Sequence, residues 1–323
     1  MTAMTSPNYG RGQYTLPSDT VDLDGKQKSL RDWLDAFLLR PTVQFPRPPA
    51  VALEVLALSR KPTARLEEIA SLLEREPLLA GRVLKLANSA LYGGATPCIT
   101  LKQALIRMGL SIVRDVVMEA AMQMTVIHCE GINETLESVR RHSSAVAWIS
   151  RFVARNTPLE AENAFLLGLL HDVGLSVALV GVTEYLRHHK LPQRLSPAAW
   201  LAAESVHEHF SAEVLKSWGL PPMVTLAVEN HHHLMVGGKP HPQVAVLIVA
   251  EQIAYDAGWG VHPVVENQVD EIALVSARET AVMDYTDKAL ASLSLTRKHF
   301  QMVQADTQRV LETLRSQFKT KGA

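Results

Sequence analysis

From Ala164 to Val182 the chain is almost unbroken hydrocarbon, and His171 and Asp172 stand in the middle of it, in Leu169-Leu170-His171-Asp172-Val173-Gly174. Such a run is either core or a membrane span, and a carboxylate beside an imidazole is costly in both settings without partners. The central Asp, with a helix-stop signal at Gly174, argues against a span. The run is therefore expected to be core. The fold must then bring to this pair a cation, a shared polar network or chemistry.

Helical periodicity prevails in the rest of the chain. Leu30, Trp33, Leu34 and Phe37 repeat at helical spacing, and a Pro-rich strip from Arg40 to Pro49 cannot be helical throughout. Further helices are expected near 51–58, 66–73, 77–87, 101–108, 111–123, 134–156, 161–172, 197–217, 221–233, 242–257 and 296–319. There is no strand series with regular turn spacing and no βαβ alternation. Residues 261–275, with Val261, Val264, Val265 and Val269, are the one place suited to a short strand. Residues 1–28 are polar and irregular and read as a disordered arm. The expected class is all-α: an N-terminal helical lobe over 29–130, a helical core over 131–260 and a C-terminal helical extension over 261–323.

With 32 basic and 33 acidic residues the net charge is −1, which argues against nucleic acid as a partner. The basic residues of the tail, Arg297, Lys298, Arg309, Arg315, Lys319 and Lys321, read as a solvated helix face. Cys98 and Cys129, without a C-x-x-C, make no disulfide framework and suit a reducing cytoplasm. The opening Met-Thr-Ala-Met-Thr-Ser-Pro has no apolar core and is not read as a signal peptide.

Other chemistry-bearing residues fall on apolar helix faces. His142 shares its face with Val146, Ile149 and Val153. His171 and Asp172 share theirs with Ala164, Phe165 and Gly168, and the bare Gly168 would admit a neighbouring helix. His207 and His209 lie in Glu204-Ser205-Val206-His207-Glu208-His209-Phe210. His231, His232 and His233 follow a helix whose Val224, Ala227 and Val228 lie on the face of His231, although a histidine run at a helix end is ordinarily solvated. Glu251 lies four residues after Leu247 and seven after Val244. Each has a plain structural reading: a core histidine bonded to one carbonyl, or a carboxylate capping a neighbour. Five helices that each direct His, Asp or Glu at one interior fit better with a site for zinc, manganese or iron, and a bridging carboxylate suits two ions.

The order His…His-Asp…His…His-His…Glu resembles that of the HD phosphohydrolase superfamily. The segments Pro77–Gly93 (PLLAGRVLKLANSALYG), Leu101–Gly109 (LKQALIRMG), Arg141-His142-Ser143 and Trp218-Gly219-Leu220-Pro221 are similar to those of one branch, the HDOD (HD-related output) domain, over about residues 40–258. The resemblance implies an HD-superfamily helical bundle in a bacterial signalling protein. It also implies metal ligands at His142, His171, Asp172, His207, His231 and His232, with Glu251 where the superfamily has its last Asp. Asp256 is five residues late for that role.

The ions implied are one or two of iron, manganese, zinc or magnesium, and Asp172 would be catalytic if the protein is an enzyme. Three departures bear on turnover. Glu251 shifts its carboxylate by about 1.5 Å, one C–C bond, relative to Asp. Leu175 stands where the related HD-GYP phosphodiesterases have a Lys that neutralises phosphate. Val236-Gly237-Gly238-Lys239-Pro240 lacks the Tyr of their GYP loop. The expected function is a signal-transduction output or scaffold domain without turnover, acting on a protein partner and open to a nucleotide ligand. The alternative is a metal-dependent phosphohydrolase or phosphodiesterase acting on a nucleotide or cyclic nucleotide.

Overall fold

The computed structural model describes residues 23–319 except 41, 42, 44, 46, 62, 126–128 and 262–284. It is all-α apart from one small hairpin among the described residues. The helices of the first half are α1 (Leu23–Leu38), α2 (Ala50–Ser59), α3 (Leu66–Glu74), α4 (Pro77–Ala87), α5 (Leu101–Met108) and α6 (Leu110–Met124). Then come α7 (Asn133–Ala154), α8 (Ala161–Leu170), α9 (Val173–His188), α10 (Pro197–Ser217) and α11 (Pro222–Glu229). Strands β1 (Met235–Val236) and β2 (Lys239–Pro240) pair antiparallel before α12 (Pro242–Asp256), and α13 (Arg297–Lys319) closes the described chain after a helical stretch over 285–292.

Local chemistry sets many of these boundaries. Proline occupies the first turn of α4, α10, α11 and α12, where its missing N–H costs nothing. Thr100 and Gln103 form a reciprocal capping box on α5, and the Ser196 hydroxyl caps α10.

Three boundaries differ from the sequence reading. Helix α1 begins at Leu23, inside the stretch expected to be irregular; residues 1–22 lie outside the described residues. Gly174 does not stop a helix. It is the second residue of α9, and its bare Cα serves contact with α10 instead of termination. The only pairing strands among the described residues are at 235–236 and 239–240. Beyond Val261, the stretch expected to allow a strand lies outside the described residues.

Helices α2 to α6 pack together as an N-terminal lobe, and α6 carries that lobe onto α7 and α8. Helix α7 packs along α8, α9 along α10, and α12 against α7 and α8. Helix α1 lies over α9 and α10, and α13 over α7 and α12. One hydrophobic cluster runs through both lobes, with Trp148, Phe165 and Phe210 its largest fully buried side chains. The apolar run over Ala161–His188 has the length and composition of a span, but 89% of its most apolar window is buried within the protein. It turns a corner between α8 and α9, and His171 and Asp172 are that corner.

Candidate metal centre

Two close helix contacts build the corner. A Cβ on Gly168 would lie 2.7 Å from the Val146 carbonyl oxygen and 2.8 Å from Ala147 Cα, so only glycine lets α8 press against α7. That contact brings His142 to His171. A Cβ on Gly174 would lie 2.1 Å from the Ser211 nitrogen and 2.4 Å from the His207 carbonyl oxygen, which fixes α9 against α10. Ser211 pins the same joint: its hydroxyl donates to the His171 carbonyl at 2.6 Å and accepts the Gly174 N–H at 2.8 Å. That contact brings His207 to Asp172.

Asp172, 3% exposed, is the hub. Its Oδ2 faces His171 Nε2 at 3.4 Å and His142 Nε2 at 3.8 Å. Its Oδ1 faces His207 Nε2 at 3.4 Å and His231 Nε2 at 3.5 Å. His232 joins the second side, with its Nε2 3.2 Å from His207 Nε2. Glu251 reaches in from α12: Oε1 is 3.8 Å from His171 Nε2 and Oε2 is 3.7 Å from His232 Nδ1. All seven residues singled out in the sequence thus meet in one place. His142–His171–Asp172, His207–His231–His232 and His171–His231–Glu251 each form a compact group of ligand atoms.

The other ring nitrogens explain why the donors point inward. The Nδ1 atoms of His142, His171 and His231 lie 2.8, 2.9 and 2.7 Å from the carbonyl oxygens of Trp259, Gly168 and Val228. His207 Nδ1 is likewise set on the Glu204 carbonyl. A carbonyl only accepts, so each Nδ1 carries a proton and each Nε2 points inward, as a bare lone pair wherever the ring is neutral. Yet Nε2 faces Nε2 at 3.3 Å between His142 and His171 and at 3.1 Å between His207 and His231. Two lone pairs at that distance repel unless a proton or a cation lies between them. The donor set of imidazoles around a two-sided carboxylate therefore fits one or two borderline divalent ions.

The electrostatics distinguish the rings. Burial pulls His171 down to about 3, against the pull of Asp172, so its ring is neutral. Burial also works against a charge on His231, but its hydrogen bond to Asp172 and the nearby Glu208 and Glu251 outweigh it and raise the group to about 9. Asp172 is held well below the usual carboxylate range: burial opposes ionisation, and the surrounding imidazoles overcome it.

The sequence reading missed two supports. Glu208, next to His207, accepts the His232 backbone N–H at 3.1 Å and pairs with His233 Nε2 at 3.3 Å, so it clamps the histidine run. Burial pushes its carboxyl up, and His233, His232 and His231 hold it far below its ordinary range. Its position beside a candidate ligand was the available signal. The Trp259 carbonyl on His142 left no signal, because any residue carries a carbonyl. Outside the cluster, His209 pairs with Glu229 on the surface, and Asp256 bonds Gln252 and Gln304 away from the hub.

A family model described as the HDOD domain matches residues 45–234. An uncharacterized protein of Treponema pallidum is 22% identical over 199 residues, covering 59% of this chain and 38% of that protein, so the match spans well under half of that relative's length. Among solved structures, an HDOD domain protein of unknown function from Geobacter sulfurreducens is 20% identical with a TM-score of 0.58, over 90% of this chain and 97% of that one. A candidate metal-dependent phosphohydrolase from Shewanella amazonensis is 20% identical with a TM-score of 0.57, over 83% of this chain and 99% of that one. A candidate signal transduction protein from Marinobacter aquaeolei is 22% identical with a TM-score of 0.59, over 92% of this chain and 66% of that one. At these identities the likeness establishes the fold.

Proposed function

This chain belongs to the HDOD domain family, and from that premise we propose that it is a metal-dependent phosphohydrolase acting on a phosphate ester, of a nucleotide or a related compound. The observation that carries the reading is the convergence of four inward Nε2 atoms on the two oxygens of Asp172. His142, His171 and Asp172 would hold one ion and His207, His231 and His232 a second, with Glu251 beside His171 and His232. Divalent ions held there would supply Lewis-acid polarisation of a phosphoryl group and activate water for attack on phosphorus. The chain's own residues do the rest. Backbone carbonyls fix the tautomers of the rings, burial strips water from Asp172, and Glu208 holds the histidine run in place.

A second reading is a signalling output domain in which the ions brace the helices and a protein partner reads the result. Leu175 favours it: the residue after Gly174 is 3% exposed in the core and offers phosphate no charge.

Metal analysis of protein purified without chelator, followed by a hydrolysis assay, separates the readings. About two equivalents of iron, manganese or zinc per chain are expected, with a loss of one or both in His171→Ala. The loaded wild type is expected to hydrolyse bis(p-nitrophenyl) phosphate and Asp172→Ala is not. Bound metal with no hydrolysis of this or of nucleotide substrates would assign the chain to the output class, and metal-free wild type would remove the proposal altogether.

A further inference from the structure

A cavity of about 40 Å³ lies among α6, α7 and the first turn of α9, and Asp172 forms part of its wall. By the usual allowance of about 10–15 Å³ per water, it has room for about three water-sized atoms. Arg140, Ser143 and Ser176 also line it, and Arg140 is the one cation among the lining residues. Val173 and Ser176 bring the N-terminal turn of the sixteen-residue α9 to the same wall, and the Asp172 side chain makes no cap bond to that turn. A helix start is the positive end of its dipole.

Arg140 is already arranged to hold an oxyanion. Its Nε and Nη2 both donate to Glu137 Oε2, one turn earlier on α7, at 3.1 and 2.5 Å. That pair is neither sunk nor free in solvent, with side-chain exposures of 20% for Arg140 and 34% for Glu137. A guanidinium fork facing one carboxylate oxygen can equally face a phosphoryl oxygen, since the two anions present the same acceptor geometry. Leu175, buried in the core, leaves the neighbourhood of Asp172 without a cation from α9. Arg140 offers one from α7.

We propose that this cavity is a phosphoryl-binding subsite, with Arg140 as countercharge, the Ser143 and Ser176 hydroxyls as donors, and Asp172 as the wall it shares with the metal centre. The ligand class is a phosphomonoester or phosphodiester whose charged group enters beside Asp172. Because Asp172 is itself an anion, binding is expected to need the cations of the metal centre, and in that respect the proposal rests on the phosphohydrolase reading. Glu137 competes with the ligand for the guanidinium and sets the affinity.

The test is calorimetric titration of inorganic phosphate into metal-loaded full-length protein. Arg140→Met is expected to weaken binding by about tenfold or more and Arg140→Lys by less, while Glu137→Gln tightens it by about twofold to threefold; the metal content of each is expected to match wild type. Phosphate affinity unchanged in Arg140→Met with its metal retained overturns the proposal, as does a wild type that does not bind phosphate at about ten millimolar. If Arg140→Met loses its metal, the other two variants decide: unchanged affinity in both overturns it. The two readings fail separately. A metal-free wild type defeats the phosphohydrolase, whereas Arg140-independent phosphate binding by loaded protein defeats the subsite alone.

Discussion

Gly174 shows how one atom positions this site. Its missing Cβ is what lets α9 lie against the Phe210–Ser211 backbone of α10, and the same contact sets His207 beside Asp172. Gly174→Ala is expected to cost about 3 kcal/mol, the upper range for overpacking, since the obstacle is backbone that cannot swing aside. Urea denaturation should show the loss, and metal content should fall with it. Stability and metal equal to wild type would mean that the joint tolerates a methyl. The sequence reading took this glycine for a helix stop. Both roles follow from the absent side chain, and which applies depends on a neighbour 37 residues away, as the Gly174–Ser211 bond shows. The histidine run teaches the same lesson. His231, His232 and His233 are identical in sequence, yet His231 is fully buried at the hub while the side chain of His233 is 58% exposed. Just past the end of α11, successive side chains diverge, so one run serves both core and surface.

Among the elements, α13 has an unexpected reach. Its amphipathic face was legible, and Phe300, Val303, Val310 and Leu314 are all buried. Its docking site was not. Arg315 donates to the Ala257 carbonyl at 2.7 Å and lies 5.7 Å over the Trp259 ring, and Phe318 packs on the same ring at 6.3 Å. Trp259 is the residue whose carbonyl fixes His142. Arg315→Ala removes the carbonyl bond and the ring contact, a loss of about 1 kcal/mol. The expected outcome is faster loss of metal on dialysis against a weak chelator, whereas Arg309→Ala, on the exposed face, retains metal as wild type does. Equal retention in both variants would show that the docking of α13 does not bear on His142.

At the scale of the whole molecule, the two lobes meet along a buried polar seam. Asp115, Glu119 and Gln123 repeat every fourth residue on α6, and all three are buried. Arg151 pairs with Asp115, Trp148 Nε1 donates to Glu119 at 3.1 Å, and Arg82 of α4 reaches Gln123 at 2.8 Å. Burial raises Glu119 from 4.5 to about 6, against the Trp148 bond that favours its charge. The folded protein thus keeps this proton when the unfolded chain has released it. Stability contributed here is complete below pH 4.5 and is lost as pH climbs to about 6, by about 2 kcal/mol. Across that range the urea midpoint of wild type should fall relative to that of Glu119→Gln as pH rises; parallel slopes would assign the pH dependence elsewhere. The sequence by itself determined the helical class, most helix boundaries and the identity of the seven converging residues, because periodicity, prolines and caps act over a few residues and buried charges demand partners. Only the tertiary structure decided that α6 turns its polar stripe inward, that a helix continues past Gly174, and that Glu208 and the Trp259 carbonyl brace the candidate ligands. Those outcomes depend on which backbones come within contact distance, and residues far apart in sequence carry no local trace of it.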